Sequence, residues 1–246
     1  MAARIGSLLA MIALWQVAAH FANPRLLPSP LTVLAAMREQ TLDGRLPFAL
    51  AVTIGRVAAA FIVAMALGSA LGYAMGRRPA FDSLLDAPIV ILLNLPALVI
   101  IVLAYIWIGL NEAAAIGAVA LNKLPNAVVT LREGARALDV GLDEMAAVFG
   151  FSRMKRLRHV VLPQLAPFFA AATRSGLSLV WKIVLVVELL GRPNGVGFEI
   201  GTAFQLFDVA TLLAYALPFT ALMLAIESFL VQPFERHVSR WRPRAA

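Results

Sequence analysis

The segment Ala87–Asn111, APIVILLNLPALVIIVLAYIWIGLN, runs for 25 residues without a charged side chain. A helix rises about 1.5 Å per residue, so a helix of this length exceeds the roughly 30 Å hydrocarbon core of a bilayer. Val57–Gly76 is a second uncharged run, of 20 residues. The two runs predict helices that cross a membrane.

The composition of the whole chain indicates the same class. Hydrophobic residues make up 61% of the sequence and charged residues only 14%, against about 25% charged in an average soluble domain. So little charge makes a water-soluble surface hard to build. We therefore expect an all-α, polytopic membrane protein. The absence of cysteine excludes disulfides and thiolate metal sites.

Six spans can be drawn in a single transmembrane domain that covers residues 1–246. The first resembles a signal peptide, but its 18-residue apolar run is long for one and no clean A-x-A cleavage site follows. We expect it to be retained as a span. The six lie at about residues 5–22, 53–76, 88–110, 113–131, 165–190 and 209–229. Between the first two, a short amphipathic interfacial helix is predicted, with one apolar face formed by Leu31, Leu34, Ala35 and Leu42.

The distribution of Lys and Arg predicts the orientation. Thirteen of the 21 fall at the two termini or in the second–third and fourth–fifth loops, whereas four fall in the other loops. Cytoplasmic loops carry the excess of basic residues, so we expect both termini and the fourth–fifth loop in the cytoplasm. This placement accounts for the net charge of +7 without nucleic-acid binding. The thirteen are Arg4, Arg77, Arg78, Arg132, Arg136, Arg153, Lys155, Arg156, Arg158, Arg236, Arg240, Arg242 and Arg244.

The fourth–fifth loop contains the segment Asp143–Gln164, DEMAAVFGFSRMKRLRHVVLPQ. Asp139 is a good N-cap for a short helix, and Gly150 can supply the left-handed residue that ends it. Ser152 then caps a second helix, and Pro163 predicts a break before the fifth span. A basic loop of this kind can serve only to fix orientation or to lie on anionic lipid.

The spacing within the loop favours a more specific function. Its fixed positions are Glu144, Met145, Ala146, Gly150, Val160, Leu162 and Pro163. They resemble the E-A-A-x3-G-x9-I-x-L-P loop of permease subunits of bacterial binding-protein-dependent ABC importers. Met145 stands for the first Ala and Val160 for the Ile, and both replacements keep an apolar side chain.

The resemblance implies the type I ABC importer permease fold, in which this loop forms a coupling helix that docks in a cleft of a cytoplasmic ATPase subunit. We call residues 139–163 the coupling segment. The docking residues that the resemblance implies are Asp139, Glu144, Met145, Ala146, Gly150, Ser152, Val160, Leu162 and Pro163.

A second segment, VVELLGRPNGVGFEI at Val186–Ile200, resembles the fifth-span exit of the nitrate, sulfonate and taurine branch of these permeases, with Val196 in place of a Leu. The branch implies import of a small anion through a dimer, usually of identical subunits, in the bacterial inner membrane. It also implies two ATPase subunits and an extracytoplasmic substrate-binding protein as partners.

The chain itself is not expected to be an enzyme. A phosphate-binding G-x-x-x-x-G-K-[ST] loop needs a Gly-Lys pair, but the three lysines follow Asn, Met and Trp. We expect no cofactor on this chain, and ATP and Mg²⁺ on the partner ATPase. The three histidines are too scattered in sequence to suggest a metal site.

Polar residues inside the spans are candidates for a translocation path, because they are costly in a bilayer. The candidates are Asn94, Pro96, Lys123, Ser178, Lys182 and Glu188. The structural alternative is that the lysines bond to carbonyls or acids of neighbouring spans and that Pro96 only kinks the third span. Lys182 and Glu188 are poorly placed to pair, since six residues along a helix rotate the side chain by about 120°.

Two other classes of function remain open from the sequence. An ion-coupled secondary transporter would use its own membrane charges, although such proteins commonly show an internal repeat and none is evident between the two halves of this chain. A membrane scaffold would recruit partners without transport.

Overall fold

The computed structural model describes the backbone of residues 2–239 and the side chains of residues 6, 7 and 9–236. The side chains of Arg4 and His237, and all of residues 240–246 with three of the predicted cytoplasmic arginines, lie outside this range.

The described residues form helices joined by short connections, with no strand among them. Two π-helical segments interrupt the series, Leu157–Val161 after α8 and Glu227–Val231 after α11. The α-helices are α1 (Ala2–Phe21), α2 (Pro30–Leu42), α3 (Arg45–Arg77), α4 (Pro79–Asn94), α5 (Ala97–Ile108), α6 (Glu112–Arg136), α7 (Val140–Val148), α8 (Arg153–Arg156), α9 (Leu162–Gly191), α10 (Val196–Gln205), α11 (Val209–Ile226) and α12 (Gln232–Ser239).

Four stretches of helix are long and apolar enough to cross a membrane: Arg45–Arg77, Glu112–Arg136, Arg153–Gly191 and Val209–Arg236. They contain the predicted second, fourth, fifth and sixth spans. The first predicted span coincides with α1, whose apolar part with described side chains is Leu9–Phe21. The all-α membrane class is thereby confirmed for the described part of the chain.

The third predicted span, residues 88–110, is broken in the structure at the position of Asn94 and Pro96. The structure has two helices there, α4 and α5, bent by 101° at a break between Asn94 and Ala97. Pro96 explains the break. Its ring disfavours the helical conformation for the preceding residue, and Leu95 is extended with φ −72° and ψ 128°.

The described residues cluster into two compact units. One comprises Val57–Val184 and Leu224–Ala246. In it, α3 and α6 approach closely along three glycines: a Cβ added at Gly68 would lie 2.6 Å from Ala127 Cβ, and one at Gly72 would lie 2.5 Å from Val128 O. Gly76 meets Ala135 in the same way, at 2.6 Å. The absence of a side chain at these glycines thus lets the two helices pack closely.

The other unit comprises Met1–Arg56 and Leu185–Met223. Helix α2 lies in it and is the predicted helix after the first span. Its residue Val33 is 3% exposed, whereas Leu31 and Leu42 are 72% and 73% exposed. The phenol of Tyr215 donates to Gln40 Oε1 at 2.9 Å and holds α2 to α11. The predicted apolar face therefore points away from the protein core and is free to meet lipid.

Candidate functional site

The first half of the coupling segment is a short helix with capped ends. Asp139 is the N-cap of α7, and its Oδ1 accepts from the backbone N–H of Gly141 at 2.7 Å. The backbone N–H of Asp139 donates to Gln164 Oε1 at 2.8 Å. The start of α7 is therefore tied to the beginning of α9, 25 residues further along the chain.

The turn after α7 has the predicted left-handed residue. Gly150 has φ +62°, the N–H of Phe151 donates to Ala146 O at 2.9 Å, and the N–H of Gly150 donates to Ala147 O at 3.1 Å. This is the Schellman pattern, which satisfies carbonyls at the end of a helix. Ser152 then caps α8 by accepting from the N–H of Lys155 at 3.3 Å.

The predicted break at Pro163 is wrong. Residues Arg153–Gly191 form one helix of 39 residues, and Pro163 lies inside it. The helix tolerates the proline because the π-helical segment precedes it, and Leu162 N donates to Leu157 O. A proline lacks the N–H that would bond four residues back and its ring crowds that carbonyl, so a wider turn relieves both problems. The second half of the coupling segment is thus an extension of the fifth span.

The exposed side of the coupling segment carries large apolar side chains beside the exposed basic side chains of Arg153, Lys155 and Arg158. Val148 is 83% exposed, Phe149 72% and Met154 70%. Glu144, Met145, Gly150, Ser152, Leu162 and Pro163 are exposed as well. Ala146 and Val160 are only 1% and 4% exposed, so their side chains pack within the chain instead of facing a partner.

Sequence reasoning missed the ionic contacts that hold α7. Asp143 Oδ2 accepts from Arg77 Nη2 at 2.9 Å and from Arg156 Nη2 at 2.7 Å, while its Oδ1 accepts from Arg156 Nε at 3.0 Å. The hydrogen bond from Arg156, together with the charges of both arginines, holds the pKa of Asp143 below its ordinary value. The carboxylate therefore stays ionised at neutral pH. No sequence spacing relates Arg77 to Asp143, which are 66 residues apart.

The candidate path residues have three different kinds of surroundings. Asn94 and Pro96 lie at the bend between α4 and α5, and Asn94 Nδ2 donates to Val90 O at 2.8 Å. Ser178 and Lys182 lie on α9. Ser178 donates to Ser175 O at 3.1 Å, and exposed Lys182 has its ammonium 5.5 Å from the ring centre of Trp181.

Lys123 is in a different situation, because its side chain is 1% exposed and its amino nitrogen has no hydrogen-bond partner among the described residues. The side chain crosses Gly176 on α9, and a Cβ added at Gly176 would collide with Lys123 Cε and would lie 2.5 Å from its Nζ. The glycine thus provides the space for the lysine. The alternative in which Lys123 bonds to a carbonyl or acid is not seen in the described part of the chain.

Glu188 is fully buried and sits at the centre of a hydrogen-bond network. It accepts from Arg56 Nη1 at 2.7 Å, from Thr53 Oγ1 at 2.9 Å and from the backbone N–H of Gly197 at 2.8 Å. Arg56 Nη1 also donates to Asn194 O at 2.8 Å. The network joins α3 to the segment that follows α9. It also explains why a buried carboxylate is tolerated, because these donors compensate for the loss of water around its charge.

Residues 62–240 match the family described as the binding-protein-dependent transport system inner membrane component.

The chain belongs to this family.

Two curated relatives are aliphatic sulfonates transport permeases named SsuC. The one from Escherichia coli K12 is 31% identical over 95% of this chain and 89% of its own length. The one from Bacillus subtilis 168 is 29% identical over 94% and 84%. Among solved structures, a chain of the MetNI methionine ABC transporter matches with a TM-score of 0.59, covering 75% of this chain and 94% of that one at 18% identity. This permease is the transmembrane subunit of an ABC importer, with the type I fold, and the family implies ATPase and substrate-binding partners.

Proposed function

We propose that this permease forms a homodimer whose two coupling segments dock on two cytoplasmic ATPase subunits, which bind ATP and Mg²⁺. An extracytoplasmic binding protein delivers the substrate. The observation that carries the proposal is the exposed apolar face of α7, with Val148 and Phe149 beside the capped turn at Gly150. Exposed apolar side chains clustered in this way are typical of a protein interface.

The coupling segment is suited to transmit motion. Because α8 continues without a break into α9, a displacement of the segment reaches the fifth span through continuous helix. The chain performs no bond chemistry in this scheme. It alternates access to a path while the partner ATPase supplies the free energy.

The substrate we propose is a small anion such as a sulfonate, taurine or nitrate, which the sulfonate permeases among the relatives support. The proposed path includes Lys182 and Ser178 on α9 and the bend at Asn94 and Pro96. Lys123 contributes a cation that is covered in this conformation. Glu188 contributes to the shape of the path through its network and not through an exposed charge.

The decisive experiment is uptake by proteoliposomes that contain the permease, its co-purified ATPase and binding protein, with labelled ethanesulfonate or taurine. We expect uptake that requires ATP and that Glu144→Lys abolishes, since it reverses a charge on the exposed face of α7. The variant should still insert and dimerise. Wild-type uptake by Glu144→Lys would contradict the coupling role, and uptake driven by a proton or sodium gradient without the ATPase would favour a secondary transporter.

The role of Lys123 is tested separately with Lys123→Met, which keeps the length of the side chain and removes its charge. We expect anion uptake to fall while the amount of assembled complex is unchanged. Undiminished uptake would assign Lys123 to packing alone.

A further inference from the structure

The carboxylate of Asp143 lies where three helices meet at one end of the unit formed by Val57–Val184 and Leu224–Ala246. Asp143 belongs to α7, Arg77 is the last residue of α3, and Arg156 is the last residue of α8, which runs on into α9. We call these three residues the Asp143 clamp. A single side chain thus connects the coupling helix to the ends of two membrane spans.

The geometry of the clamp is specific. Arg156 binds both carboxylate oxygens, with Nε on Oδ1 at 3.0 Å and Nη2 on Oδ2 at 2.7 Å, which is the bidentate arrangement of arginine and carboxylate. Arg77 adds a contact of 2.9 Å to Oδ2. The Asp143 side chain is 13% exposed, so the charges meet at a largely covered position.

Helix α7 depends on such contacts for its orientation. It has nine residues, and a helix this short is not stable on its own in water. It is also held by the hydrogen bond from Asp139 to Gln164 and by the buried side chain of Ala146, which is 1% exposed. The two arginines are 36% and 43% exposed, and ion pairs in that range contribute little to overall stability. The clamp therefore matters for position more than for folding.

We propose that Asp143 is a positioning residue for energy coupling. It fixes α7 to α3 and α9, so that a push on the coupling segment is passed to two spans and not to the fifth alone. The inference rests on the proposed function in one respect, namely that the partner ATPase moves the coupling segment. The rigidity of α7 is a property of this chain by itself.

The rigidity is measured first, without any partner. The chain has no cysteine, so spin labels on cysteines introduced at exposed Ala80 and Val140 report the distance between the α3–α4 corner and α7. We expect a narrow distance distribution in the parent protein and a broader one after Asp143→Asn, Arg77→Gln or Arg156→Gln. An unchanged width in all three variants would overturn the clamp.

The matched control is Asp86→Asn. Asp86 is another carboxylate of the same unit, and it pairs with Arg132 at 2.6 Å, but neither residue contacts α7 in an ion pair or hydrogen bond. The same chemical change there should leave the spin-label distances unaltered. Broadening by Asp86→Asn as well would show that the label pair reports general loosening and would also overturn the assignment.

Coupling is measured next in proteoliposomes with the ATPase and binding protein. We expect Asp143→Asn to increase the ATP hydrolysed per ethanesulfonate imported, because a loosely held α7 passes less of its motion to the two spans. A ratio equal to wild type would refute the coupling role. Failure of the wild type to import with ATP would instead refute the proposed function. The spin-label distances would still show whether Asp143 holds α7 in place.

Discussion

Arg56 and Glu188 form an ion pair of 2.7 Å whose side chains are 6% and 0% exposed. The carboxylate has three further hydrogen-bond contacts, two to Thr53 and one to Gly197. Nothing in the local sequence connects the two charges, which are 132 residues apart. The pair is the most strongly buried charge interaction among the described residues, and removing either partner leaves the other buried and uncompensated.

The first prediction follows from that geometry. Glu188→Gln should lower the free energy of unfolding by about 3–5 kcal/mol, because a buried arginine loses its counter-charge. Denaturant or thermal unfolding of the detergent-purified permease measures the effect. The control is Glu235→Gln, which removes a partly exposed pair with Arg174 and should change stability by less than about 1 kcal/mol. Equal effects of the two substitutions would contradict the structural role of the network.

The second prediction concerns the turn at Gly150. Gly150→Pro should abolish ATP-driven uptake, because proline fixes φ near −65° and the turn requires φ +62°. Gly150→Asn is the control, since asparagine tolerates the left-handed region and no atom lies within 4 Å of an added Cβ. Transport and pull-down of the ATPase are compared for both variants. Normal uptake by the proline variant would exclude a fixed turn as a requirement.

The third prediction concerns the fit of Lys123 to Gly176. Gly176→Ala should destabilise the protein by about 1–3 kcal/mol, because the new methyl group occupies the space of the lysine side chain, which is buried and has no open solvent to move into. In a Lys123→Ala background the same substitution should have little or no effect, since the colliding atoms are gone. Unfolding of the four proteins gives a double-mutant cycle. Simple additivity would mean that the two residues do not interact.

The fourth prediction gives the pH dependence of the Asp143 clamp. The folded-state pKa of Asp143 is depressed, chiefly by the hydrogen bond from Arg156. The stability that it contributes is therefore present above the unfolded pKa of about 3.9 and is lost as pH falls through the lower folded value. Parent protein and Asp143→Asn should differ in stability by a small amount, below about 1 kcal/mol, that stays constant between pH 7 and about pH 5. The difference should shrink in more acidic buffer. A difference in stability that grows on acidification would contradict a depressed pKa of Asp143 in the folded state.

Much of the fold was predictable from the sequence. Long uncharged runs predict spans because a charge is costly in hydrocarbon, and the caps at Asp139 and Ser152 predict helix starts because the side chain satisfies nearby backbone donors. The left-handed turn at Gly150 belongs to the same group. Each of these properties depends on residues within a few positions of one another.

The effect of the two prolines on their helices was harder to predict from the sequence. Pro96 breaks its helix by 101°, whereas Pro163 lies inside a continuous helix of 39 residues. The local chemistry of the two residues is the same. The difference arises because a π-helical turn precedes Pro163 and accommodates its ring.

The sequence alone therefore determined the membrane class, the approximate spans and the local turns of the coupling segment, since hydrophobicity and backbone conformation act over short distances along the chain. Only the tertiary structure decided the partners of the charges. Arg56 meets Glu188, Arg77 meets Asp143 and Lys123 fits over Gly176. Charge and shape complementarity act through space, and the folded chain brings together residues that sequence spacing leaves far apart.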